Sequence, residues 1–111
     1  MLRRGLVFGA IILGSLALAG AAASQATGKQ YTVTMNGMSF GRIPAGLKVG
    51  DTITWVNKDT VAHSVTARNR SFDLRLAPRQ SKKMVLQKAG TIPIYCVYHP
   101  AMRGTLTVAA Q

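Results

Sequence analysis

An all-β sandwich or barrel is the fold class this sequence predicts for most of its length, on three observations. Beyond the first two dozen residues no apolar pattern repeats at the helical period. The apolar positions fall instead in short, β-branched, often alternating runs. Turn signals separate those runs: Asn36-Gly37, Gly50-Asp51, Asn57-Lys58-Asp59 and Lys88-Ala89-Gly90.

In chain order, the first element is not a strand. Met1–Gly5 carries Arg3 and Arg4, Leu6–Ala19 is uncharged and apolar, and small residues fill Ala21–Ala26. That layout predicts a helical secretory signal peptide over residues 1–26, cut after Ala23 or Ala26, with one domain over residues 27–111. An uncleaved membrane anchor is the alternative, because the apolar run approaches spanning length. Its dilution by Gly and Ala, and the cleavage pattern that follows, favour removal, after which no stable membrane insertion is expected. No cysteine lies near the cut, which argues against a lipid anchor.

The strands follow. Tyr31–Met35 is bounded by Asn36-Gly37. Ile43–Val49 is interrupted by Pro44 and Gly46 and reads at best as an edge strand. Thr52–Val56 alternates, with Ile53 and Trp55 on one face. His63–Ala67 and Ser71–Leu74 come next, then a loop at Ala77–Gln80. Lys82–Gln87, Thr91–Tyr95 and Thr105–Val108 complete a set of about seven.

Fewer than ninety residues remain after the leader, and a domain of that size buries only roughly 60–65% of its unfolded surface. Small exported domains usually compensate with disulfides, yet Cys96 is the only cysteine among 111 residues. A bound metal would protect the thiolate and add its binding free energy to folding. The charge is also unusual: 14 Lys and Arg stand against Asp51, Asp59 and Asp73. Export argues against nucleic acid as the partner of so basic a domain and favours an acidic protein or an anionic surface.

The chemistry converges on His63 … Cys96-x-x-His99-x-x-Met102, which uses both histidines of the chain. One donor comes from a mid-chain strand and three from a single loop, and loops at one end of a sandwich meet. Two imidazoles, a thiolate and a thioether form a soft to borderline set. Calcium and magnesium require oxygen donors, and a thioether suits zinc poorly. Two His and one Cys near a plane, with a weak axial Met, is the blue-copper arrangement. One copper ion cycling between Cu(I) and Cu(II) is therefore expected.

With those residues in view, "GDTITWVNKDTVAHSV" and "YCVYHPAMRGTLTV" resemble the small cupredoxins, the plastocyanin, pseudoazurin and amicyanin group, over about Tyr31–Val108. The two-residue gap from His99 to Met102, within "HPAMRG", resembles amicyanin most. The resemblance implies a Greek-key sandwich and a periplasmic, single-copper electron carrier. It also implies His63, Cys96, His99 and Met102 as ligands, and His99 as the electron port. Pro100, Ala101 and Met38 would form an apolar rim around that port. Redox proteins of the dehydrogenase or cytochrome c type are the expected partners, drawn in by Arg42, Arg68, Arg70, Arg75, Arg79, Lys82, Lys83 and Arg103 if they are acidic. A monomer is expected.

Two positions depart from the family pattern. Tyr98 stands where proline is usual before the second histidine, and Ser64 stands where asparagine is common after the first. Ser64 is expected to weaken or remove the side-chain bonds that tie the two ligand segments together. Catalysis by the domain alone is not expected, since the residues flanking Cys96 are Tyr95 and Val97 and no histidine is spare for a second copper site. A periplasmic copper-delivery or resistance protein is the alternative function, although such proteins favour open, Met-rich sites.

Overall fold

The computed structural model describes residues 28–111; the expected leader and its cleavage position lie outside them. Eight strands run in chain order: β1 (Gln30–Met35), β2 (Leu47–Lys48), β3 (Thr52–Asn57), β4 (His63–Ala67), β5 (Asp73–Leu76), β6 (Ser81–Val85), β7 (Gly90–Tyr95) and β8 (Arg103–Ala109). They form two sheets, ordered β1-β3-β6 and β2-β8-β7-β4-β5. Only β4–β5 and β7–β8 join as direct hairpins within one sheet. Every other connection crosses between the sheets, so the chain wraps its core in Greek-key fashion.

Alternation decides which side chains meet between the sheets. Val33, Met35, Ile53 and Trp55 point inward from the smaller sheet. Val65, Ala67, Ile92, Ile94, Leu106 and Val108 do so from the larger one, and all are buried. Trp55 fills the centre, with the Phe40 ring edge-on to it at a centroid distance of 6.0 Å. Asp51 is buried among the turns far from the ligand loop. Its carboxylate accepts the Lys29 and Lys48 amides at 2.8 and 2.9 Å, joining the start of β1 to β2. Those two amides, Lys48 first, hold the Asp51 carboxyl below its ordinary pKa.

Two strands differ from expectation. The edge strand shrinks to Leu47–Lys48, because Gly46 takes a left-handed φ of +77° and Pro44 donates nothing to a ladder. The fifth strand lies two residues later than the composition suggests. The turn after Ala67 is longer: Arg70 is left-handed (φ +67°) and its amide bonds Ala67 O at 2.9 Å. That offset sets the register of β5 on β4, placing Arg75 opposite Ser64 and Asp73 opposite Thr66 on the outer face of the sheet.

Candidate metal centre

Two segments reach the same end of the sandwich. His63 opens β4, Cys96 immediately follows β7, and residues 96–102 form the loop into β8. The x-x spacings have a direct structural cause. The His99 amide donates to Cys96 O at 3.3 Å and the Met102 amide to His99 O at 2.8 Å, so each interval is one tight turn. The Cys96 amide donates back to Met102 O at 3.0 Å and closes the loop on itself. A Cys-x-x-His-x-x-Met run thus becomes a compact unit with Cys96, His99 and Met102 at its corners.

The structure brings His63, Cys96 and His99 together, with their ligating atoms all within 4.8 Å of one another. Cys96 Sγ lies 3.8 Å from His63 Nδ1 and 3.8 Å from His99 Nδ1. Bonds of about 2.3 Å to sulfur and about 2.0–2.1 Å to nitrogen let one ion reach a sulfur and a nitrogen that far apart, so the spacing fits a single metal ion, and a thiolate with two imidazoles is a donor set that suits copper. Met102 is buried on the same loop, and His63 and Cys96 are fully buried, while His99 is half-exposed.

The surroundings orient these donors. Asp59 Oδ2 lies 2.7 Å from His63 Nε2, so Nε2 carries the proton and the Nδ1 lone pair faces the thiol. The same carboxylate accepts the Gly37 and Met38 amides at 2.8 and 2.9 Å. The His63 contact and then those amides hold the Asp59 carboxyl down, from 3.8 to about 2. Asn57, also buried, donates to Val61 O and Ala77 O at 2.8 and 3.1 Å, and its Oδ1 accepts the Asp59 amide at 2.9 Å. The segment carrying Asp59 is thereby fixed before it reaches His63.

Ser64 keeps a tie that its departure from the family pattern was expected to weaken or remove. Its amide donates to Cys96 Sγ at 3.3 Å, and its hydroxyl accepts the Val97 amide at 2.9 Å. A hydroxyl reaches the loop because β4 and the loop lie close enough for one short side chain to span them. Asp59 is the functional residue that sequence reasoning overlooked, having been read only as part of a turn. Its four-residue lead on His63 was the available signal. The contacts that Thr66 and Arg75 make with the Asp73 carboxylate left no such signal, because they depend on strand register.

The whole of this end has relatives. A cupredoxin-like domain matches residues 9–108. Amicyanin of Paracoccus denitrificans is 27% identical over 93 residues, covering 78% of this chain and 71% of its own. The methylamine utilization protein MauL of Methylorubrum extorquens is 30% identical over 90 residues, covering 78% of this chain and 79% of its own. Among solved structures, a Cu(I) amicyanin variant superposes with a TM-score of 0.59 at 26% identity, covering 74% of this chain and 82% of that one. A purple cupredoxin from Nitrosopumilus maritimus shares the fold with a TM-score of 0.63 at 24% identity, covering 71% and 99%. With the fold, the ligand loop and the converging donors all in agreement, the chain belongs to the cupredoxin-like family, as a small amicyanin-like protein whose cofactor is one copper ion.

Proposed function

We propose that this cupredoxin shuttles single electrons between periplasmic redox proteins, with His63, Cys96, His99 and Met102 as its ligands. The convergence of two imidazole nitrogens on one buried thiol at 3.8 Å carries this reading. Bound copper supplies a one-electron couple between Cu(I) and Cu(II). The protein's part is to hold the donors still, exclude water from three of them and leave one edge accessible. Asp59 fixes His63, the closed turns fix the loop, and His99 alone of the set meets solvent.

The exposed apolar side chains support His99 as the port. Among the described residues the exposed large hydrophobics are Met38 (44%), Val61 (41%) and Tyr98 (48%). Each sits on a loop at the ligand end, alongside exposed Pro100 and Ala101. A small apolar rim suits a brief encounter, since redox complexes lie at the low end of interface size. Both histidines belong to the one cluster, which leaves no imidazole for a second copper and supports a carrier rather than an enzyme.

An acidic partner fits the surface charge. All three side-chain carboxylates are engaged internally: Asp51 with two amides, Asp59 with His63 and two amides, and Asp73 with Arg75 and Thr66. Twelve Lys and Arg remain on the described residues, and only Arg75 is paired with a carboxylate.

Adding Cu(II) to the metal-free protein tests the function. An intense thiolate-to-copper charge-transfer band with reversible one-electron redox is expected, and Cys96→Ser abolishes the band. Copper uptake by the native protein without that band would favour copper delivery over electron transfer.

A further inference from the structure

A hydrogen-bonded ring on the outer face of β4 and β5 begins and ends on adjacent residues of the ligand loop. The Val97 amide donates to Ser64 Oγ at 2.9 Å. Ser64 Oγ lies 2.8 Å from Thr66 Oγ1, and Thr66 Oγ1 donates to Asp73 Oδ1 at 2.9 Å. Arg75 grips Asp73 through Nε at 2.7 Å and Nη2 at 2.8 Å. Its guanidinium carbon stands 5.6 Å from the Tyr98 ring centroid, with Nη1 a long 3.5 Å from the Tyr98 hydroxyl.

Proton bookkeeping fixes the direction of this ring. An ionised carboxylate only accepts, so the single Thr66 hydroxyl proton points to Asp73. Thr66 Oγ1 must then accept from Ser64, and Ser64 Oγ is left to accept from Val97. Every bond runs from the loop amide outward to Asp73, and bonds aligned in one direction polarise one another. Ser64 and Thr66 are buried, so water does not compete for their hydroxyls. Arg75 completes the arrangement by holding the carboxylate in place and lying beside Tyr98, one residue beyond the anchored amide.

We propose that Asp73 is a positioning residue for the copper-ligand loop, acting through Thr66 and Ser64 on the Val97 amide. Arg75 serves as its clamp. The inference rests on reading Cys96 and His99 as ligands, since Val97 lies between them. An aspartate on the rim of the sheet thereby helps set the geometry around a thiolate it never touches.

The test compares Thr66→Val, which cuts the ring at its middle, with Thr66→Ser, which restores the hydroxyl. Asp73→Ala, at a half-exposed position, removes the final acceptor without opening the core. Hydrogen exchange of the Val97 amide is read in metal-free protein, against the core amide of Val65 as control. The charge-transfer spectrum and reduction potential are read after copper loading. Thr66→Val and Asp73→Ala are expected to speed Val97 exchange roughly tenfold relative to Val65, about the worth of one hydrogen bond. Both are expected to move the band and the potential, and Thr66→Ser to bring all three readouts back toward native values. Equal acceleration at Val97 and Val65, or native spectrum and potential in both ring-breaking variants, would overturn the proposal and leave the copper reading intact. Native protein that takes up Cu(II) without the band would instead overturn the blue-copper electron-carrier reading, and with it the role assigned to Asp73.

Discussion

Met38 holds a left-handed backbone, φ +64°, directly after Gly37 at φ +66°. Two such residues between Asn36 and Ser39, whose backbones pair at 3.1 Å, make a tight two-residue hairpin turn with Gly37 and Met38 at its centre. Glycine enters this conformation freely, whereas a side chain disfavours it by about 1–2 kcal/mol. The Asp59 carboxylate, accepting both amides, holds the turn despite that strain. Met38→Gly should therefore stabilise the metal-free protein by about 0.5–1 kcal/mol in urea denaturation while slowing electron transfer, because it removes part of the apolar rim. Asp59→Ala removes the partner of His63 Nε2, and copper affinity should fall by about 10–100-fold in a competition titration. Residue types and spacing were enough to single out His63, Cys96 and His99, whose ligating atoms the fold brings together. The tautomer of His63 was not legible in the same way, because it depends on a carboxylate whose approach is decided by the folded loop.

At the level of elements, the strands with clean alternation were legible from side-chain pattern alone, and Thr52–Val56 and His63–Ala67 lie where that pattern places them. The less regular segments were governed by backbone terms that composition reports poorly. A left-handed Arg70 delays β5, and Gly46 with Pro44 shortens β2. The two-residue β2 is retained by its side chain: Leu47 is fully buried and pairs in register with Val108. Leu47→Ala should cost about 2–5 kcal/mol, a large share of what a domain this small possesses. Thermal unfolding would show it as a drop of many degrees, in contrast to a change at exposed Thr107.

Across the whole molecule, acid should destabilise the fold. Asp51 and Asp73 have carboxyl pKa values held below the ordinary 3.8, Asp51 by the Lys48 and Lys29 amides and Asp73 chiefly by Arg75. Their folded forms bind fewer protons than the unfolded chain, so their contribution is complete above the ordinary carboxylate range and is lost as pH falls through the folded values. Urea midpoints of the metal-free protein should be level from pH 7 to about 5 and decline below about 4.

Because every side-chain carboxylate is already engaged within the molecule, two copies face each other as like-charged spheres with no acidic patch to offer in return. Collisions between an oxidised and a reduced copy should be rare in dilute buffer and more frequent as ions screen them. Self-exchange should thus quicken with added salt, while transfer to an anionic acceptor slows. A single protein would then show opposite ionic-strength slopes, with the sign set by the charge of the molecule it meets.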